Sequence, residues 1–237
     1  MKKNIALLQL KNHPKYQYNL EKILSYINEL PKDAIIVAPE VCLTDYDYEN
    51  LEAASAFSYQ ALDILLQAVN EQILTLTLLL KEDGVYVNKA VVLHKHKVVH
   101  SQNKHKLFKM GNEHHYLKAG KESEIKKFEI DGVTFGLLIC FEMRYKKLWQ
   151  KLEGADIILA PSQWGLPRKK HLEIIPHAMA IMNQCYVLVA NSAKEDMAKS
   201  SAIFTPFGGV MRDDYAESIE SRIDLKQVEL MRKYIKL

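Results

Sequence analysis

Short unbroken apolar runs alternate along this chain with longer stretches whose apolar residues recur every three or four positions. Ile5 to Leu10 is a compact apolar run and predicts a strand. Leu20, Ile23, Leu24 and Ile27 fall at helical spacing, which predicts a helix over Asn19 to Leu30 that Pro31 stops. Ala34 to Ala38 is continuously apolar, as suits a strand covered on both faces. Strand, helix and second buried strand make a β-α-β opening with a right-handed crossover, which argues for an α/β sheet.

The alternation continues. Ala61 to Asn70 predicts a helix, Ile73 to Leu80 a strand, and Val85 to Leu93 with Lys97 to His100 hairpin strands around Asp83-Gly84 and a short basic turn. Val133 to Ile139 predicts a strand, Met143 to Leu152 a helix and Ile157 to Ala160 a buried strand. Lys170 to Asn183 reads as a helix despite Pro176, and Tyr186 to Ala190 as a strand. Ser201 to Phe204, a turn at Pro206 to Gly209, and Ser218 to Ile223 complete the series. Many strands with intervening helices fit two stacked sheets flanked by helices. No linker, low-complexity tract or repeat divides residues 1–237, so one domain is expected.

Composition narrows the function classes. Hydrophobic residues at 48% and charged residues at 26% are those of a globular protein, and a net charge of +3 does not by itself imply a nucleic-acid or membrane partner. The opening apolar run contains Gln9 and meets Lys11 and His13, so it reads as a strand and not as a signal peptide. Ile73 to Leu80 is far short of a membrane span. Three cysteines, an odd number without metal-type spacing, point to a reducing cytoplasm. His94, His96, His100, His105, His114 and His115 crowd one region but form no helical ligand motif, so no metal is expected. The same basic stretch lacks the interleaved aromatics of a nucleic-acid stacking platform.

Three apolar strands run into reactive residues: Ala34–Ala38 into Pro39-Glu40, Val133–Ile139 into Cys140, and Ile157–Ala160 into Pro161-Ser162. Sites in α/β sheets form beyond the carboxyl ends of strands, and a cysteine between strand and helix stands where a helix N-terminus favours thiolate. A thiol attacking an amide needs a base, a cation or N–H group for the developing oxyanion, and an acid for the leaving nitrogen. Glu40 suits the first and last roles and Lys104 the second, with a backbone N–H near Cys140 as a further donor. Each has a plainer reading alone: Cys140 as a core thiol, Glu40 as a strand end, Lys104 as one of a charge run with Lys95, Lys97, Lys106 and Lys109. Cys42 and Cys185 read as structural.

The segments IVAPE (36–40), NKHKLF (103–108), LLICFEMRY (137–145), ILAPSQW (158–164), MNQCYVLVAN (182–191) and SAIFTPFGG (201–209) stand in the order of a known family. The chain resembles the nitrilase superfamily of carbon–nitrogen hydrolases over nearly its whole length. The resemblance implies a four-layer αββα sandwich and a Glu-Lys-Cys triad, carried here by Glu40, Lys104 and Cys140. Lys104 is placed by its register before Leu107-Phe108. It further implies a supporting Glu113, within GNEHHYLKAG (111–120), and elbow-bracing roles for Glu142 and Arg144. Phe141, Arg144, Trp164 and Arg168 are the expected substrate-binding residues, and no cofactor is required.

The expected reaction is hydrolysis of a small linear, non-peptide amide through a cysteine thioester. The 111–120 and AMAIMNQ (178–184) segments look closest to ω-amidase-like members, whose substrates are monoamides of small dicarboxylates. Arg144, Arg168 or Lys169 would meet the free carboxylate. An N-carbamoyl amine or amino acid hydrolase is the alternative, and a degenerate nitrilase-fold binding protein is the rival from another class. Relatives associate as dimers or larger assemblies, so a homodimer is expected, with a short amphipathic tail over Leu225 to Leu237. Lys106, Met182 and Lys199 depart from the usual family residues, and no proline follows Arg144-Tyr145. None of these departures touches the triad.

Overall fold

The structure, a computed structural model, describes residues 1–236. Strands β1 (Lys2–Leu8), β2 (Ile35–Val37), β3 (Ile73–Glu82), β4 (Val85–His94) and β5 (Lys97–Asn103) form one sheet. The late strand β12 (Ser218–Asp224) joins its edge, in the order β12-β1-β2-β3-β4-β5. A second sheet holds β6 (Phe128–Ile130), β7 (Val133–Leu137), β8 (Ile157–Ser162), β9 (Tyr186–Asn191), β10 (Ala202–Phe204) and β11 (Val210–Arg212). Its order is β11-β10-β9-β8-β7-β6. In each sheet three consecutive strands are parallel, β1-β2-β3 and β7-β8-β9, and the flanking strands run antiparallel.

Helices α1 (Tyr16–Glu29) and α2 (Leu51–Ala68) cover the first sheet. After the single turn α3 (Glu113–Tyr116), helices α4 (Lys146–Lys151) and α5 (Lys169–Met182) cover the second. The result is the αββα sandwich. Strands covered on both faces must be apolar at every position, and β2 shows it: Ile35 and Val37 pack toward the second sheet, while Ile36 packs with Leu20, Ile23 and Ile27 of α1. Each such buried side chain contributes about 1.5–3 kcal/mol.

The elements differ from expectation in instructive places. Helix α2 starts at Leu51 and not at Ala61, because its buried face of Ala54, Ser55, Ser58, Ala61 and Leu65 is mostly small and weakly hydrophobic. Small residues let the helix lie close to the sheet, and the Ser55 hydroxyl accepts the Lys81 N–H at 2.8 Å. The helix expected over Met143 to Leu152 is instead a 3-10 turn, Cys140–Arg144, followed by α4. Strands β6 and β11 were not expected; each has three residues and lies at a sheet edge, too short to show a period. In the C-terminal tail, helix α6 (Lys226–Tyr234) buries Val228 and Met231; Leu237 lies outside the described residues.

Candidate active site

Four strands deliver side chains to one rim. Glu40 follows β2, Lys104 follows β5, Cys140 follows β7 and Gln163 follows β8. The Glu40 N–H donates to the Ser162 carbonyl at 3.2 Å, tying the two sheets together at this point. Val41 takes a left-handed conformation (φ 46°), a strained state for a β-branched residue, and its N–H donates to Thr77 Oγ1 at 2.7 Å. The Lys104 N–H and carbonyl are held by Asn88 O at 2.8 Å and the Gly120 N–H at 2.9 Å. A Cβ on Gly120 would come within 2.3 Å of the Asn103 carbonyl oxygen, so only glycine permits this approach.

At the centre, Lys104 Nζ lies 2.7 Å from Glu40 Oε1 and 2.6 Å from Glu113 Oε1. Relative exposures of 0%, 1% and 3% for Lys104, Glu40 and Glu113 put all three out of water. Buried charges persist only when paired, and here one ammonium serves two carboxylates. Burial works against the charged lysine, but Glu40 and Glu113 outweigh it and hold the ammonium protonated above its usual range. Burial raises the Glu113 carboxyl despite Lys104, with the charge of Glu40 adding to the rise. Tyr46 Oη donates to this cluster, 2.7 Å from Glu40 Oε1 and 3.0 Å from Glu113 Oε1.

Cys140 opens the 3-10 turn in a left-handed conformation (φ 50°), which lifts its sulfur from the strand end. The Gln163 N–H lies 3.5 Å from Sγ. The expectation that a helix start favours thiolate is corrected here. Burial and then the Glu40 charge push the thiol well above its usual value, against the weaker pull of Lys104 and the Gln163 N–H. A short 3-10 turn has little dipole to set against that. A thiol raised in this way needs a base to take its proton as the attack proceeds.

Glu142 joins the nucleophile turn to the lysine loop. Fully buried, it accepts the Ile139 N–H at 2.7 Å through one oxygen and the His105 N–H at 2.6 Å through the other. Burial pushes its carboxyl up to about 7 against these N–H donors.

A pocket opens at Cys140, lined by Phe108, Phe141, Arg144, Gln163, Trp164 and Arg168. Arg144 stacks over the Trp164 ring at 4.6 Å and Arg168 over the Phe108 ring at 4.9 Å. Asn191 fixes this wall by accepting the Trp164 N–H at 2.7 Å. Phe141, Arg144, Trp164 and Arg168 therefore share one cavity with Cys140. Lys169 does not join them: it pairs with Asp214 and donates to the Ala198 carbonyl at 3.1 Å. Lys106 lies over the Tyr145 ring at 5.1 Å, apart from the carboxylates.

Tyr46, Asn88, Phe108 and Gln163 were not expected at the site. Phe108 and Gln163 lie inside the NKHKLF and ILAPSQW segments; nothing in the sequence distinguishes Tyr46 or Asn88 from other polar positions. The clustered histidines disperse: His94 contacts Gln72 O at 3.1 Å, His100 stacks on Phe128, and His105 contacts Gly120 O at 2.9 Å. Among the described residues no group of three or more His, Cys, Asp or Glu could hold a metal ion.

The chain is similar in sequence and fold to known proteins. The carbon–nitrogen hydrolase profile matches residues 4–233. A 2-oxoglutaramate amidase of Bacillus subtilis (strain 168) is 29% identical over 249 aligned residues, covering 99% of this chain and 96% of that protein. The Omega-amidase NIT2 of Homo sapiens is 31% identical over 118 residues, 46% of this chain and 43% of its own length. Among solved structures, Saccharomyces cerevisiae Nit3 superposes with a TM-score of 0.86 at 23% identity, covering 100% of this chain and 95% of that one. With a family match over nearly every residue and the same layered fold, the chain belongs to the carbon–nitrogen hydrolase family.

Proposed function

We propose that this protein hydrolyses the ω-amide of a small dicarboxylate through a thioester on Cys140. The observation that carries the reading is one cavity holding Cys140 and two arginines, backed by a buried Glu40–Lys104–Glu113 cluster. In acylation Glu40 takes the thiol proton, sulfur attacks the amide carbon, and the carbonyl oxygen becomes an oxyanion. Lys104 Nζ stabilises that charge. The Phe141 N–H serves as second donor, since the first N–H groups of a helix lack intrahelical acceptors. The C–N bond breaks as Glu40 returns its proton to the nitrogen, releasing ammonia. Glu40 then deprotonates water, which attacks the thioester; the departing sulfur regains its proton from Glu40, and the acid is released. Proton transfers and acyl transfer suffice, so no cofactor enters.

The pocket supports this substrate class. Arg144 and Arg168 are held on aromatic faces, and no carboxylate among the described residues lines the cavity, so a substrate carboxylate is the matching anion. The Bacillus relative is named for such a monoamide. An ammonia-release screen over ω-amides, N-carbamoyl compounds and nitriles tests the reading, and turnover confined to nitriles or N-carbamoyl compounds would refute it. Arg144→Gln is expected to raise KM for a dicarboxylate monoamide by about 10–100-fold, the loss of one charge-assisted contact. For an uncharged amide of similar size KM should stay near the wild-type value; an equal rise for both would sink the arginine assignment.

We further infer one catalytic domain acting as a homodimer in the cytoplasm, a setting that fits its free cysteines. The outer face of α5 exposes Ile174 and Met182 at 62% and 64%, with Phe207 nearby at 54%, an apolar surface suited to a second copy. Light scattering is expected to give about twice 27.3 kDa, and a single-chain mass at micromolar concentration would reject the dimer. No helix among the described residues is long and apolar enough to cross a membrane.

A further inference from the structure

The two oxygens of Glu40 have unlike surroundings. Oε1 accepts from Lys104 Nζ at 2.7 Å, Tyr46 Oη at 2.7 Å and Asn88 Nδ2 at 2.9 Å. Oε2 is buried and has no hydrogen-bond partner among the described residues. Three donors saturate an oxygen, whereas a bare buried carboxylate oxygen is costly and is filled by whatever proton the reaction brings. Resting on the thioester reading, we propose that Tyr46 and Asn88 are positioning residues that lock Glu40 through Oε1, making Oε2 the atom that exchanges the proton with Cys140.

The amide and phenol geometry supports this. Asn88 is fully buried, and its Nδ2 also donates to Tyr46 Oη at 3.0 Å, while its Oδ1 has no partner among the described residues. Exchanging the amide atoms would aim Oδ1 at the carboxylate, so the network itself assigns the donor. Tyr46 has one proton but two carboxylates within reach, Glu40 at 2.7 Å and Glu113 at 3.0 Å. With Glu40 ionised the phenol donates to Glu40. Once Oε2 has taken the thiol proton, Glu40 is neutral, and the phenol turns to Glu113, the remaining carboxylate. The hydroxyl follows the negative charge without losing its own proton.

The titratable groups around Glu40 come from every surrounding segment: Lys104 after β5, Glu113 on α3, Tyr46 and Tyr48 after β2, and Cys140 after β7. Removing a donor from Oε1 disfavours the ionised carboxylate, so the base is lost at higher pH.

The test measures alkylation of Cys140 by iodoacetamide against pH, by peptide mass spectrometry, beside ammonia release from a dicarboxylate monoamide. Tyr46→Phe is expected to move the acid limb of both profiles up by about one pH unit, with KM little changed, since Tyr46 does not line the pocket. Asn88→Ser, which withdraws the other donor, is expected to shift the limb the same way and serves if Tyr46→Phe does not fold. Glu40→Gln should abolish the limb. A folded Tyr46→Phe or Asn88→Ser with a wild-type acid limb overturns the proposal. Wild-type protein releasing no ammonia, while the alkylation limb still shifts, would reject the amidase reading and leave the positioning roles standing.

Discussion

Lys104→Met is expected to lower the stability of the fold by about 3–5 kcal/mol and to eliminate amide hydrolysis, the largest combined effect of any single substitution at this site. Methionine approximates the shape of lysine but leaves Glu40 and Glu113 facing each other, buried, without the ammonium 2.7 and 2.6 Å away. Like charges in a dry site cannot both remain ionised, so one carboxylate must take up a proton. Guanidinium unfolding at pH 7 reads the loss, and adding Glu113→Gln should restore part of it by removing one surplus charge. The pH dependence has a definite sign. The Glu113 carboxyl is already raised by burial in the wild type, so its protonated form is favoured by folding. Its contribution is complete below the ordinary carboxyl value and is lost as pH rises through the raised one. Without Lys104 that loss should deepen, and the variant should recover stability on acidification. A variant of wild-type stability at pH 7 would show that Lys104 is not the counter-charge of this cluster.

Cys140→Ala is expected to reduce turnover by about 10⁴-fold or more while leaving the unfolding midpoint nearly unchanged, the opposite profile to Lys104→Met. The thiol's polar contact with the Gln163 N–H is long, at 3.5 Å, so its removal leaves no strong donor unpaired. It is nevertheless the atom that would form the thioester. Cys42 and Cys185 are also buried, with thiols pushed up to about 12, and they lie outside the pocket. Cys42→Ala and Cys185→Ala should therefore retain activity. Intact-mass spectrometry of wild type quenched during turnover should show one acyl adduct, absent from Cys140→Ala. Persistent turnover by Cys140→Ala would remove the cysteine from the chemistry altogether.

Strands such as Ala34–Ala38 and Ile157–Ala160 were legible because a strand covered on both faces must be apolar throughout, a pattern that survives without knowledge of neighbours. The start of α2 was not, because Ala54, Ser55 and Ser58 face the sheet for close approach and not for hydrophobicity. The 3-10 turn at Cys140 was hidden for a related reason: its left-handed backbone is imposed by surrounding packing, and Cys has no preference for it. Glu40, Lys104, Glu113 and Cys140 were readable only through ordered motifs, since residues remote in sequence carry no local sign of meeting. Asn88 and Tyr46 had no motif at all. Their importance lies in a shared contact with one carboxylate oxygen.

The amino-acid order by itself determined the alternation of buried strands and amphipathic helices, and hence the layered α/β class, because apolar periodicity reflects which faces must leave water. It also supplied a thiol, an ammonium and a carboxylate, Cys140, Lys104 and Glu40, placed just after strands. What only the tertiary structure decided is their electrostatic state. Excluding water around Lys104, Glu40, Glu113 and Cys140 pushes the thiol up, the two carboxylates hold the ammonium charged against that same burial, and one oxygen of Glu40 has no partner among the described residues. Those properties depend on distances of a few ångströms and on the local dielectric, and both arise only when the two sheets close on each other.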